Sequence, residues 1–180
     1  MKIIGLTGKA GAGKDTVADR LVSNYGFVKY SLAGPLKAML KVIGVDCENR
    51  ETKELPHPVF GVSPRVMAQA LGTEWMRKCV AENGWIRLAA NFIRVTKELN
   101  NLEDVPTVKG IVFSDVRFPN EAEFIRTHGT LVHVWRPDVA PVAAHESENG
   151  IPFQDCDRAL MNDKTVETAF RRLDDIMADL

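Results

Sequence analysis

Two rhythms of apolar positions alternate along the chain. Residues 2–7, KIIGLT, make a short β-rich apolar run, and Val17, Ala18, Leu21, Val22 and Tyr25 then recur at the spacing of one helix face. FVKYSL at 27–32 reads as a second strand, and AGP introduces the helix LKAMLKVIG with Pro35 in its first turn, where a missing N–H costs nothing. Residues 44–64 show no period and hold the proline-rich PHPVFGVSP, which predicts a surface connection. Ser63 and Pro64 open a helix with Val66, Met67, Ala70 and Leu71 on its apolar face, and Gly72 is expected to interrupt it. Trp85, Leu88, Ala89, Phe92, Ile93 and Leu99 predict a longer helix over 85–99, followed by the loop NNLEDVPT. GIVFSD and TLVHVW are buried-strand patterns that flank the short helix PNEAEFIRTH, which Gly129 stops. After a long aperiodic stretch, RALMN reads as a last strand. A helix from about Thr165 follows, with Val166, Ala169, Phe170, Leu173, Ile176 and Met177 on one face.

Strands alternating with helices predict an α/β sandwich, three layers around a parallel sheet of about five strands, with ligands at the C-terminal strand edge. Residues 1–180 read as one domain. The helical stretch 33–100 breaks the alternation and reads as an inserted binding element, and the aperiodic segment 136–157 has the length of a functional lid.

Between the first strand and the first helix stands GLTGKAGAGKDT. Gly8, four residues, Gly13 and Lys14 satisfy the GxxxxGK core of a phosphate-binding loop, in the strand–loop–helix context that the chemistry requires. Glycines let backbone amides turn inward, the helix N-terminus favours an anion, and the Lys14 ammonium can reach β and γ phosphates. The usual hydroxyl after the lysine is replaced by Asp15, and Thr16 supplies it one residue later. Asp15 is expected either to face Mg²⁺ or its waters, or to cap the helix, and Thr16 to face a phosphate oxygen.

Composition narrows the reading. The chain has 180 residues, 45% hydrophobic and 26% charged, which suits one domain with a sizeable core. A net charge of −1 offers no global attraction to nucleic acid polymers or anionic membranes, so phosphate binding must be local. Cys47, Cys79 and Cys156 are unpatterned, which suits a reducing, cytoplasmic setting, and the apolar N-terminal run is too short for a signal peptide. His57, His128, His133 and His145 show no ligand spacing and read as structural or solvated.

Asp115 ends the strand IVFS and Arg117 follows two residues on, so both should emerge beside the phosphate loop. There an acid can hold Mg²⁺ through water, and an arginine can neutralise a transferring phosphoryl group; a mutual ion pair or a helix cap is the structural alternative. Arg136 reaches the same edge after TLVHVW, or is a solvated arginine. Lys37, Arg65 and Gln69 fit a polar helix face from spacing alone, while Arg65 has the fork for a phosphate and Gln69 the amide for a base edge. Trp85 reads as core more readily than as a stacking platform, and Trp75 and Trp135 read as core.

The segments GKDT, ADRLVSNYGFVKYSLAGPLK, RVMAQALGT, DVRFPNE, HVWRP, HESENGIP and MND, in that order, resemble the bacteriophage deoxynucleoside monophosphate kinases of the T-even type. The resemblance covers most of the chain. It implies a P-loop NTPase fold and ATP-dependent phosphorylation of deoxynucleoside 5′-monophosphates with Mg²⁺, supplying DNA precursors during phage infection in the host cytoplasm. By the same resemblance, Gly11, Gly13, Lys14, Asp15 and Thr16 would bind ATP, and Ala12 within the loop and Arg136 at its strand end are expected to join them. Leu36, Lys37, Arg65, Gln69, Trp85, Asp115, Arg117 and Glu121 would line the acceptor site, with Lys14, Asp115 and Arg117 catalytic and Asp15 and Asp115 facing the metal. Residues 136–157 would be the lid. Two departures stand out: Ala10 occupies a loop position that is basic in the family pattern, with Lys9 the nearest substitute, and the stretch between Leu55 and Arg65 is short. A P-loop kinase for another phosphomonoester, such as the phosphomevalonate kinases, and a non-catalytic nucleotide switch are the competing readings. The base preference stays open, as does the oligomeric state, a homodimer included.

Overall fold

The computed structural model describes residues 1–49, 51–137 and 150–180, and divides them into two compact units: Met1–Tyr30 with Asn91–Leu180, and Ser31–Ala90. The first unit carries the strands β1 (Lys2–Thr7), β2 (Phe27–Tyr30), β3 (Gly110–Phe113), β4 (Thr130–Trp135) and β5 (Arg158–Met161). All pair in parallel, in the order β2-β3-β1-β4-β5, so β1 lies at the centre between β3 and β4. Parallel strands are covered on both faces, which is why β1, β3 and β4 read as continuous apolar runs. On one face Ile4, Leu6, Val112, Val132, Val134 and Leu160 meet α1 (Lys14–Tyr25) and α6 (Val166–Ala178) through Val17, Ala18, Leu21, Ala169, Leu173 and Ile176. On the other lies α5 (Pro119–His128). Gly5 makes room for it, since a Cβ there would come within 2.8 Å of Ile125 Cγ1, and Phe113 meets Tyr30 and Phe124 edge-on.

The second unit holds α2 (Gly34–Val42), α3 (Pro64–Gln69) and the first half of α4 (Gly84–Leu99), a helix that continues into the first unit. Its core is Leu36, Leu40, Val45 and Trp85, with Met67, Ala68, Leu71 and Met76 against it. Ser63 caps α3 through its hydroxyl, and Pro64 opens it as the sequence predicts.

Several expectations need correction. Gly72 does not end the helix after Ser63: α3 widens into a π-helical stretch, Ala70–Val80, with Gly72 and Thr73 buried in it. The Trp85 indole N–H donates to the Gly72 carbonyl at 2.9 Å, and a Cβ on Gly72 would come within 3.1 Å of the Leu36 side chain, so the glycine suits the close packing there. Trp75 and Trp135 are not core; they are 41% and 50% exposed. The π-helical turn directs burial to Gly72 and Thr73 instead, and Trp135 is the last residue of β4. The strand at FVKYSL stops at Tyr30. Of the expected lid at 136–157, residues 138–149 lie outside the described residues.

Candidate functional site

β1 delivers the chain to a loop of residues 8–13 at the C-terminal edge of the sheet, and α1 leaves it from Lys14. Gly8 has φ +139° and lies so close to the Val134 carbonyl that no side chain fits. Gly13 is the N-cap of α1 with φ +98°, and its carbonyl accepts the Val17 N–H at 3.1 Å. The loop is drawn around its lysine: Lys14 Nζ donates to the carbonyls of Gly8 at 2.7 Å and Lys9 at 3.0 Å. Ala12 is buried and bonds back to the Lys9 carbonyl at 3.1 Å. The N–H groups of a first helical turn have no intrahelical carbonyl to reach and, with the helix dipole, form an anion site.

Asp15 does not cap the helix; that position is Gly13. Its carboxylate is 2.9 Å from Lys29 Nζ of β2, which also bonds Asp19 at 3.1 Å. Burial lowers the Lys29 pKa, but the two acids outweigh it and the net shift is upward, so the ammonium stays charged. Thr16 is exposed and lines a cleft of about 110 Å³ with Arg136, Asn162, Lys164, Ala169 and Phe170. Its lining mixes polar side chains with the apolar Val17, Val166, Ala169 and Phe170 beside the phosphate loop.

On the other side of β1, Asp115 and Arg117 follow β3 at the same edge, both half-buried. Ser114 and Val116 extend the ladder by bonding the Tyr30 and Leu6 carbonyls, each at 3.0 Å. Glu121, buried in the first turn of α5, accepts the N–H groups of Arg117 at 2.8 Å and Phe118 at 3.0 Å. Its carboxylate therefore fixes the backbone on which Arg117 stands. Burial raises the Tyr30 hydroxyl pKa, and the nearby Asp115 charge adds to the effect.

In the second unit, Leu36 and Trp85 are buried together in its core, Trp85 being 3% exposed. Lys37 pairs with Glu48 at 3.3 Å and Arg65 with Glu54 at 3.1 Å; Gln69 is half-buried at the end of α3. The first unit thus gathers Gly11–Thr16, Asp115, Arg117, Glu121 and Arg136 at one sheet edge, and the second holds the other expected residues.

Three features escaped the sequence reading. Lys29 is a lysine inside a strand, a place where a charge needs a partner, and Asp15 and Asp19 on α1 provide it. Asn162 follows β5 as Arg136 follows β4, and its amide Nδ2 donates to the Ala12 carbonyl at 2.8 Å. The third is a buried network. Asp157 accepts Arg126 Nε at 2.9 Å and Nη2 at 2.7 Å, His133 Nε2 at 2.9 Å and the Gln154 N–H at 2.9 Å. Burial pushes the Asp157 carboxyl up, but these donors and the Arg126 charge prevail and hold it at about 2. His133 is lowered by burial, with Arg126 adding to that and Asp157 opposing it, so a neutral imidazole donates Nε2–H to the carboxylate.

Among the described residues no group of three or more His, Cys, Asp or Glu could hold a metal by itself, and no helix is long and apolar enough to cross a membrane. The carboxylates of Asp15 and Asp115 are hard oxygen donors, and such sites take Mg²⁺ together with phosphate oxygens and water.

The chain matches the family model described as deoxynucleotide monophosphate kinase over residues 2–61 and 59–173. It is similar to a protein of Acanthamoeba polyphaga mimivirus, at 34% identity over 183 residues, covering 96% of this chain and 94% of that one. It is also similar to the deoxynucleotide monophosphate kinase of Enterobacteria phage T4, at 26% identity over 234 residues, covering 96% and 97%. Among solved structures, a sugar kinase from Janibacter sp. shares the fold with a TM-score of 0.51 at 14% identity, covering 96% of this chain and 91% of that one.

Proposed function

The chain belongs to the deoxynucleotide monophosphate kinase family, and on that premise we propose that it moves the γ-phosphoryl group of ATP to a deoxynucleoside 5′-monophosphate. That it is a nucleotide-binding phosphotransferase follows from the family; the donor, the metal and the residue roles are the proposal. The observation that carries it is the phosphate loop on the central strand, with Asp115 and Arg117 at the end of one neighbour and Arg136 at the end of the other.

In this reading the loop amides from Gly11 to Thr16 hold the donor's β and γ phosphates and Lys14 turns from the Gly8 and Lys9 carbonyls to them. The donor base enters the cleft between Arg136 and Phe170. Arg117, held by Glu121, faces the phosphoryl group as it leaves ADP and forms its new P–O bond to an acceptor phosphate oxygen. Asp15 and Asp115 would hold Mg²⁺ through its waters. Held there, the ion would supply positive charge that stabilises the charge developing on the phosphate oxygens. Leu36, Lys37, Arg65, Gln69 and Trp85 serve the acceptor, with the Arg65 fork suited to its unreacted phosphate and Trp85 acting from its buried position as a support. Residues 1–180 work as a single kinase domain with 33–100 on the acceptor side and 136–157 as lid, in the cytoplasm of a phage-infected host.

The test is a coupled assay with Mg²⁺-ATP against all four deoxy and four ribo monophosphates. One or more deoxynucleoside monophosphates should give a diphosphate with one ADP each. ATP hydrolysis without any diphosphate, or no turnover with the whole panel, would overturn the reading.

A further inference from the structure

We propose that Asn162 is a positioning residue that sets the direction of the Ala12–Gly13 peptide in the phosphate loop; the proposal rests on the phosphate-binding reading of that loop. Asn162 stands just past β5, and its own N–H extends the ladder to the Trp135 carbonyl at 2.7 Å, which fixes its backbone to the sheet. From there its side chain crosses to the loop and bonds the Ala12 carbonyl at 2.8 Å. A carbonyl only accepts, so the amide nitrogen faces it and the assignment of Nδ2 is settled by chemistry.

This contact matters because of what lies on the other side of the peptide. A trans peptide is planar, with its C=O and the following N–H pointing in opposite directions, and the described chain has no cis bond. Holding the Ala12 carbonyl toward β5 therefore aims the Gly13 N–H away from β5. If the peptide turned over, a carbonyl oxygen would replace a donor in the wall of an anion site. The local sequence does little to prevent this, since such a turn changes Ala12 ψ and Gly13 φ, and Gly13, at φ +98°, accepts either sign with little preference. Ala12 is buried and fixes the position of the peptide, but a methyl group cannot fix its polarity. The approach is close enough that a Cβ on Gly13 would lie 2.5 Å from Asn162 Nδ2. The glycine and the asparagine are thus parts of one contact, supplied by segments far apart in the sequence.

Asn162→Asp keeps the shape and removes the donor, placing a carboxylate against a carbonyl. Titration calorimetry with inorganic tripolyphosphate and with ATP should show affinity for both lower by at least about tenfold, the worth of one lost charge-assisted contact. KM for ATP should rise in parallel, KM for the monophosphate should hold, and amide exchange at residues 9–14 should speed up. Asn162→Ala should show the same pattern, and it decides the matter if the aspartate variant does not fold. Unchanged tripolyphosphate affinity in a folded variant overturns the latch while leaving the loop's role intact. A wild-type protein that binds neither tripolyphosphate nor ATP overturns both.

Discussion

Asp157→Asn should destabilise the protein severely while changing the shape of one side chain hardly at all. The wild-type carboxylate takes four donors, and Arg126, its cationic partner, has only 10% of its side chain exposed. An asparagine offers a single acceptor oxygen and turns an NH₂ toward an Arg126 nitrogen in either orientation, and in one of them toward His133 and the Gln154 N–H as well, leaving a buried guanidinium without its counter-charge. Removing one partner of a buried pair costs about 3–5 kcal/mol. For a chain of this length each kcal/mol moves the midpoint by about 2–4 °C, so calorimetry at pH 7 should show a fall of roughly 6–20 °C. Arg126→Met alone leaves the carboxylate short of its cation, but in combination with Asp157→Asn it removes the orphan charge, so the double variant should be more stable than the sum of the two losses. A loss under about 1 kcal/mol in Asp157→Asn, or strict additivity in the double variant, would refute the argument. The network also sets the response to acid. Asp157 sits near 2 in the fold against 3.8 ordinarily, so its contribution is complete above about pH 4 and drains as pH falls through about 2. His133 is lowered from 6.5, so the unfolded chain takes up its proton first and stability starts to fall as pH drops below 6.5. Urea midpoints measured across pH should show both windows in the wild type, and the lower one much reduced in Asp157→Asn.

Lys14→Ala should fold normally and lose at least about a hundredfold in turnover, since it removes a preorganised charge from the transferring group; near-wild-type steady-state rates in a folded variant would end its catalytic assignment. Arg117→Lys keeps the charge but loses the planar fork, so kcat should fall far more than either substrate's affinity, and Arg117→Ala should be worse with little change in melting temperature. Lys29→Met removes the Lys29 ammonium from the Asp15 carboxylate beside the phosphate loop, so ATP without Mg²⁺ should bind more weakly by calorimetry, and adding Asp15→Asn should restore it; no change in affinity would show the pair to be irrelevant to the donor.

The fold was legible because its central strands are continuous apolar runs and because α3 and α6 open on side-chain caps, Ser63 and Thr165. β1, β4 and the start of α3 fall where the pattern put them. What the pattern could not show was a change of helix type. The apolar face before Gly72 has ordinary α spacing, and nothing in it distinguishes the π-helical continuation to Val80, in which the Gly72 carbonyl accepts the Trp85 indole N–H. The misplacement of Trp75 and Trp135 has the same origin: hydrophobicity says what a side chain gains from cover, and not whether its element supplies any. At the site, the loop and the strand-end residues Asp115, Arg117 and Arg136 follow from the rule that parallel sheets present ligands at their C-terminal edge. Asn162 obeys that rule too, but an asparagine after a strand also suits a turn, and only the bond to Ala12 separates the two roles.

Asp15 shows how a local departure from a motif is made tolerable by a distant residue. A carboxylate one position after the loop lysine gains from the helix dipole but repels a bound phosphate, and the two effects have similar reach. Lys29 changes that balance. Its ammonium lies against Asp15 and Asp19 together, so the first turns of α1 carry one cation for two acids before Lys14 is counted. The pair adds little to the fold, because Asp15 is 75% exposed and such contacts are worth about 0.2–1 kcal/mol. Its consequence lies in the field at the loop: an ammonium shared by Asp15 and Asp19 offsets part of the Asp15 charge, so on the proposed chemistry that charge opposes Lys14 and the helix N-terminus less. On the proposed chemistry, the aspartate then remains available to the water shell of a divalent cation, a role that the hydroxyl it replaces fills without a charge. On that chemistry Lys29, a residue of β2 outside the motif, contributes to the field at the phosphate loop through its pair with Asp15.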